Sequence, residues 1–229
     1  MNTNSNTYTI IYASVMVAIV AFLLAFVSNS LAEKQEANEN IDKMKQVLAA
    51  LNVDTKEVDD VQAEFNKFVK ADQIINSEAE VVKENGGFNI KLKEELAKKL
   101  VDRELPLYIC EVNGETKYVI PLTGNGLWNI LWGYVALNED KNTIYGVYFD
   151  HAGETPGLGA EIATPLFQDQ FPGKIAMKDG SVVLSVVKNG KVQHGEYEVD
   201  GITGGTITSN GVDKMIKDCL IQYKTFLTK

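Results

Sequence analysis

Not one charged side chain occurs between Met1 and Ala32, and Tyr8 to Val27 is an almost unbroken apolar run. About 20 apolar residues, rising roughly 1.5 Å each as a helix, cross the hydrocarbon core of a bilayer. Residues 1–32 are therefore expected to be a short uncharged tail and a single transmembrane anchor, with Tyr8 and Tyr12 near one interface. A cleavable signal peptide is the rival, because Ser30-Leu31-Ala32 offers small residues at a peptidase's spacing. The run is longer than a usual signal core and the basic n-region is missing, which favours a retained anchor. Orientation is poorly encoded. Lys34, Lys43 and Lys45 follow the run and none precedes it, but they alternate with Glu33, Glu36, Glu39 and Asp42, so the positive-inside rule has little to act on. An apolar span without an ionisable group is also no ion path by itself.

The 229 residues are 45% hydrophobic, enough for one sizeable domain with accessory helices. A net charge of −9 without clustered Lys or Arg excludes nucleic-acid binding, which needs basic patches against phosphates. Cys110 and Cys219 are too few for a disulfide framework and too far apart for a zinc or iron–sulfur motif. Cys219 falls on an apolar helical face and reads as a core residue; one disulfide in an oxidising compartment stays open. His151 and His194 sit in no ligand-spaced motif, and no hydrolase triad can be read, so neither a catalytic residue nor a metal site is expected.

Between residues 33 and 104 the spacing predicts juxtamembrane or accessory helices. Ile41, Met44, Val47, Leu48 and Leu51 keep a helical period. Asp54-Thr55-Lys56-Glu57 resembles a capping box before Val58, Val61, Phe65 and Phe68. A stalk or docking arm, and ordinary cover for the next domain, are both compatible with such stripes. Gly86-Gly87 breaks the pattern, and the lysine-rich stretch Ile90 to Leu100 reads as a mixed-charge helix.

Residues 105–229 read as an α+β domain. Leu107 to Val112 and Thr116 to Ile120 flank Asn113-Gly114-Glu115, a hairpin signal. Leu131 to Leu137 and Thr143 to Phe149 read as two more strands, and Val182 to Val187 with Val192 as a further pair around Asn189-Gly190. Strands in hairpins followed by a helix indicate an antiparallel sheet. The helix is marked by Val212, Met215, Ile216, Cys219, Leu220, Tyr223, Phe226 and Leu227.

Directly before that helix runs Asp200-Gly201-Ile202-Thr203-Gly204-Gly205-Thr206-Ile207-Thr208. A helix N-terminus offers unpaired N–H groups and the positive dipole end, and glycines admit close approach, so a phosphate-bearing guest suits it. Two further glycine loops punctuate the domain: Gly124-Asn125-Gly126-Leu127-Trp128 and His151-Ala152-Gly153-Glu154-Thr155-Pro156-Gly157-Leu158-Gly159. Neither a P-loop nor a dinucleotide fingerprint is present.

The three loops in this order, with Glu154 to Gly159 intact, resemble the covalent flavin-binding subunit of the sodium-translocating NADH:quinone reductases, and more distantly its counterpart in the ferredoxin-linked Rnf complex. The threonine stretch is similar to the family's signature Asp-Gly-x-Thr/Ser-Gly-Ala/Gly-Thr-x-Thr, with Gly205 where alanine is commoner. The resemblance implies flavin mononucleotide (FMN) esterified through its phosphate to Thr208; Ser209 is a second hydroxyl next door. It implies a flavin transferase for maturation, other subunits of a membrane redox complex as partners, and a flavin domain on the periplasmic side of the inner membrane. The chain would relay electrons as one subunit of a Na+-transporting NADH:ubiquinone reductase. Thr203 and Thr206 are expected to hydrogen-bond the phosphate, with Gly204 and Gly205 giving access. Leu127, Trp128 and Leu158 are expected to face the ring, and Glu154, Thr155 and Gly157 to line its edge or the ribityl chain. Alternatives are an Rnf-type flavin subunit and a membrane-anchored scaffold holding a non-covalent phosphate ligand.

Overall fold

The computed structural model describes residues 5–229; Met1–Asn4, the start of the expected 1–32 segment, lie outside the described residues. The apolar run forms one helix with the charged segment after it, α1 (Asn6–Ala50), about 68 Å long at roughly 1.5 Å per residue. The chain divides into two compact units, one ending at Lys43 and one of Met44–Lys229. In the first, α1 is long and apolar enough to cross a membrane, and its most apolar stretch is wholly unburied. An all-round apolar helix without protein packing suits lipid rather than water.

The second unit begins with the last turns of α1, where Met44, Val47, Leu48 and Ala50 are buried. α2 (Val61–Phe68) follows, then β1 (Val69–Ile75), β2 (Val81–Lys83), α3 (Leu92–Leu96), β3 (Leu105–Val112), β4 (Glu115–Asn125), β5 (Ile130–Leu137) and β6 (Ile144–His151). The strands build one six-stranded sheet in the order β2-β1-β3-β4-β5-β6, antiparallel throughout. The later segments are α4 (Pro165–Gln168), β7 (Met177–Lys178), β8 (Ser181–Val182), β9 (Ser185–Val187), β10 (Glu198–Asp200), α5 (Thr206–Leu220) and α6 (Lys224–Thr228). The α+β architecture with an antiparallel sheet and a C-terminal helix is as expected.

Period-2 alternation sorts each central strand between two cores. Leu105 and Leu107 of β3, Ile120 and Leu122 of β4, Leu131 and Val135 of β5 and Phe149 of β6 join the core under α5. Tyr108, Cys110, Val119, Tyr134 and Ala136 face the other way, onto the end of α1 and α2. Phe149, Phe167 and Phe171 pack as an aromatic triad, with ring centroids 5.1 to 6.0 Å apart. Cys110 and Cys219 are free and lie in opposite cores, so the sheet separates them and the disulfide left open does not form.

Four local expectations are corrected. Asp54 does not start α2: its Oδ1 accepts from the N–H of Lys56 at 2.9 Å in a turn, and Asp60 caps instead, accepting from the N–H of Ala63 at 2.9 Å. Residues 69–83, expected within a helical 33–104 segment, supply β1 and β2. β1 shows little amphipathy because Asp72 hides its charge by accepting the N–H groups of Gly86 and Phe88 at 3.1 and 3.0 Å; pairing with β3 makes it a strand. Over 90–100 only Leu92–Leu96 is α-helical, because Arg103 donates to the carbonyls of Leu96 and Lys98 at 3.0 and 3.1 Å and closes the helix early. Gly190 turns the chain with a φ of 73°, yet β9 pairs in parallel with β10 and Val192 lies in no strand. Glu198 there accepts the N–H groups of Gln193 and His194 at 2.7 and 2.8 Å, which folds that segment into a loop.

Candidate functional site

Three chain segments meet at the N-terminus of α5: the 126–129 turn between β4 and β5, the loop after β6, and the 201–205 turn. α5 is anchored before it can present anything. Val212, Met215, Ile216, Cys219 and Leu220 are buried on the sheet, and the Tyr223 hydroxyl donates to the Pro106 carbonyl at 2.8 Å. Laterally, Asp213 accepts from the Ser185 hydroxyl at 2.7 Å and the Val186 N–H at 2.9 Å, and Lys217 donates to its other oxygen at 2.9 Å. The first turn of α5 carries no acidic residue and no side-chain cap of its own, so its leading N–H groups are uncapped, and the charge placed nearest its positive dipole end is the Glu154 carboxylate at Thr208.

Thr208 and Glu154 form the centre. Thr208 is 2% exposed and Glu154 5%, and the Thr208 hydroxyl donates to Glu154 Oε2 at 2.6 Å. Glu154 Oε1 accepts the Trp128 N–H at 3.0 Å, and the Glu154 N–H donates to His151 Nδ1 at 3.1 Å. Burial alone would raise the Glu154 carboxyl, but the Thr208 hydroxyl, the N–H groups of Trp128 and Asn129, and attraction to His151 together hold it below the ordinary carboxylate value. Space for this clasp comes from two glycines. A Cβ at Gly126 would collide with Glu154 Oε1, and one at Gly159 with Thr208 Oγ1 and Glu154 Oε2.

Thr208 and Glu154 open onto a cavity of about 270 Å³. Leu127, Thr155 and Leu158 line one side; Gly204, Gly205 and Thr206 line the other, and Gly159 and Ile207 complete it. Of the expected residues the structure thus brings together Thr208, Thr206, Gly204, Gly205, Glu154, Thr155, Leu158 and Leu127. Thr203 and Gly157 line a neighbouring cavity of about 240 Å³ with Glu161 and Gln170. Trp128 contributes its backbone to the clasp while its side chain is 70% exposed, so it is not core packing. Glu154, expected to meet the ring edge or the ribityl chain, lines the cavity and accepts from the Thr208 hydroxyl.

Ser209 is committed elsewhere. Its hydroxyl accepts the Ile202 N–H at 2.8 Å and donates to the Gly205 carbonyl at 2.9 Å, closing the 202–205 turn onto α5. Sequence reasoning passed over Gly126, Gly159, His151 and Ile207. All four stand in the quoted stretches, but their roles depend on contacts across the fold.

The donor set fits a flavin phosphate. A hydroxyl, uncapped helix N–H groups and a glycine-lined approach suit the phosphate end. The exposed Leu127, Trp128, Leu158 and Ile207 offer apolar surface for a flat ring.

The FMN-binding domain family matches residues 126–221, a span holding all three segments. Over 232 residues the chain is 29% identical to the C subunit of the Na(+)-translocating NADH-quinone reductase of Haemophilus ducreyi, covering 94% of this chain and 90% of that one. It is 30% identical to the same subunit of Vibrio parahaemolyticus, covering 85% and 82%. Among solved structures, the C subunit from Parabacteroides distasonis superposes with a TM-score of 0.80 at 40% identity, over 87% of this chain and 98% of that one. NqrC from Shewanella oneidensis follows with 0.71 and 26%, over 84% and 97%.

Proposed function

Because the chain belongs to the NqrC family of Na(+)-translocating NADH-quinone reductases, we propose that it is a membrane-anchored electron-carrier subunit whose FMN is esterified to Thr208. The observation that carries this reading is the placement of Thr208 in the lining of a cavity at the uncapped N-terminus of α5. Ser209, the competing hydroxyl, is consumed by the turn it closes. Family membership also favours the sodium-pump reading over the Rnf-type alternative.

Bound FMN supplies reversible electron transfer. The protein's part is to hold and orient. The leading N–H groups of α5 and the Thr206 hydroxyl would hold the phosphate, and the exposed Leu127, Leu158 and Trp128 would give the ring an apolar surface. Attachment by the phosphate leaves the redox end free and prevents loss of the cofactor. Residues 1–32 serve as the anchor, 33–43 as the charged continuation of the same helix, and the unit from Met44 onward as the flavin domain, on the periplasmic side of the inner membrane. A flavin transferase completes maturation, and the neighbouring subunits supply and accept electrons. The chain contributes no acid, base or nucleophile to the redox step itself.

Intact mass tests the reading. Protein made with a matching flavin transferase should exceed its sequence mass by one FMN phosphoryl residue, and Thr208→Ala should abolish both that increment and in-gel fluorescence. An unmodified, redox-silent wild type would return the scaffold alternative, and fluorescence persisting in Thr208→Ala would move the ester elsewhere.

A further inference from the structure

The Glu154–Thr208 clasp is an unusual use of a buried carboxylate. Glu154 makes no ion pair with Lys or Arg among the described residues, and backbone N–H groups hold it in place instead. Oε1 is fixed by the Trp128 N–H at 3.0 Å, the main chain at 154 is tied to His151 Nδ1 at 3.1 Å, and Oε2 is left aimed at the Thr208 hydroxyl at 2.6 Å. Two glycines keep open the space that this geometry needs. A carboxylate so placed holds the hydroxyl proton on one side of Oγ1 and turns a lone pair toward the cavity that Thr208 lines.

Resting on the flavin-ester reading above, we propose that Glu154 is the proton acceptor for the phosphoryl transfer that loads Thr208, and that its contact selects Thr208 over Thr206 and Ser209. The donor must be a flavin nucleotide activated as a phosphoanhydride, because a phosphate monoester has no adequate leaving group. In the transfer, Thr208 Oγ1 forms a bond to the flavin-bearing phosphorus as the anhydride P–O bond breaks. The bonding pair leaves with the departing phosphate, and the hydroxyl proton passes to Glu154 Oε2. No redox change occurs. The carboxylate oxygen at 2.6 Å is within reach of the proton as the bond to phosphorus forms. Once the ester forms, a phosphodiester anion stands beside Glu154 and favours the carboxyl that has just become neutral.

The selection follows from the same contacts. Thr206 is exposed and makes no hydrogen bond with Glu154 among the described residues, and the Ser209 hydroxyl already serves the Ile202 N–H and the Gly205 carbonyl. Of the three hydroxyls, only that of Thr208 has a carboxylate on it.

The test is the rate of loading of the full chain by purified flavin transferase with flavin adenine dinucleotide as donor, followed by intact mass and peptide mapping. Glu154→Gln should lower kcat by about 100-fold or more, the range for a lost general base, with KM for the acceptor protein little changed and the protein still folded at the assay temperature. Glu154→Asp, which keeps a carboxylate on a shorter arm, should recover part of that loss. Gly159→Ala offers an independent route: its Cβ pushes Thr208 Oγ1 and Glu154 Oε2 apart with the carboxylate still present, and should slow loading as well. Wild-type kcat in Glu154→Gln overturns the proposal, as does a loss that appears only in KM or tracks the melting temperature. If wild type is never loaded, or Thr208→Ala is loaded as fully as wild type, the flavin-ester reading fails and this proposal falls with it. Normal loading confined to Thr208 in both wild type and Glu154→Gln would sink the proposal alone.

Discussion

Thr208 and Ser209 are adjacent hydroxyls on one helix, yet the fold gives them opposite work. Ser209 bridges the Ile202 N–H to the Gly205 carbonyl, so Ser209→Ala strands a buried donor, at a cost of about 1–3 kcal/mol. Denaturant unfolding should show that loss, while intact mass shows loading on Thr208 retained. Glu154 has a pH signature of its own. Its folded carboxyl lies below the ordinary value, so its stabilising effect is complete above the unfolded value of about 4.3 and disappears as pH falls through the lower folded one. The stability difference between unloaded wild type and Glu154→Gln should therefore be constant at neutral pH and shrink on the acid side. A difference that grows on acidification would mean that the carboxyl is not held by these donors.

At the scale of elements, the N-terminus of α5 is positioned by contacts far from it in sequence. Asp213 joins α5 to β9 through the Ser185 hydroxyl and the Val186 N–H, and Lys217 backs it. Asp213→Ala should cost on the order of 1–3 kcal/mol, because the Val186 N–H loses its acceptor; thermal unfolding checks it, with α5 amides exchanging faster. For α2, the cap is Asp60 rather than Asp54, so Asp60→Ala should lower stability by about 1 kcal/mol while Asp54→Ala leaves it nearly unchanged. Comparing the two melts decides between the caps. The central strands were legible because β-forming residues flank turn signals such as Asn113-Gly114. β1 was not, because Asp72 finds its donors in the N–H groups of Gly86 and Phe88, beyond the strand, and the partner strand lies about thirty to forty residues away in sequence.

For the whole molecule, the end of α1 belongs to the domain that follows it. Met44, Val47, Leu48 and Leu51 are buried against the sheet, and burying each such side chain is worth about 1.5–3 kcal/mol. A fragment from Met44 onward should fold cooperatively and stay soluble. One starting at Asp54 loses an amount comparable with a domain's total stability of about 5–15 kcal/mol and should melt far lower or not fold, as circular dichroism will show. Both thiols are pushed up to about 12 by burial, so neither should react with a thiol reagent until the domain unfolds.

Sequence alone determined the apolar span, the antiparallel α+β domain, the amphipathic last helix and the threonine turn at its head. Each is written in a local period or a short motif that backbone geometry must obey. Which carboxylate meets the Thr208 hydroxyl and which threonines line which cavity were decided by tertiary structure. Thr203 and Thr208 are five positions apart in one signature, yet a turn with positive φ at Gly204 sends them to different cavities. Glu154 and Thr208 lie 54 positions apart and touch, because a six-stranded sheet holds the end of β6 beside the start of α5.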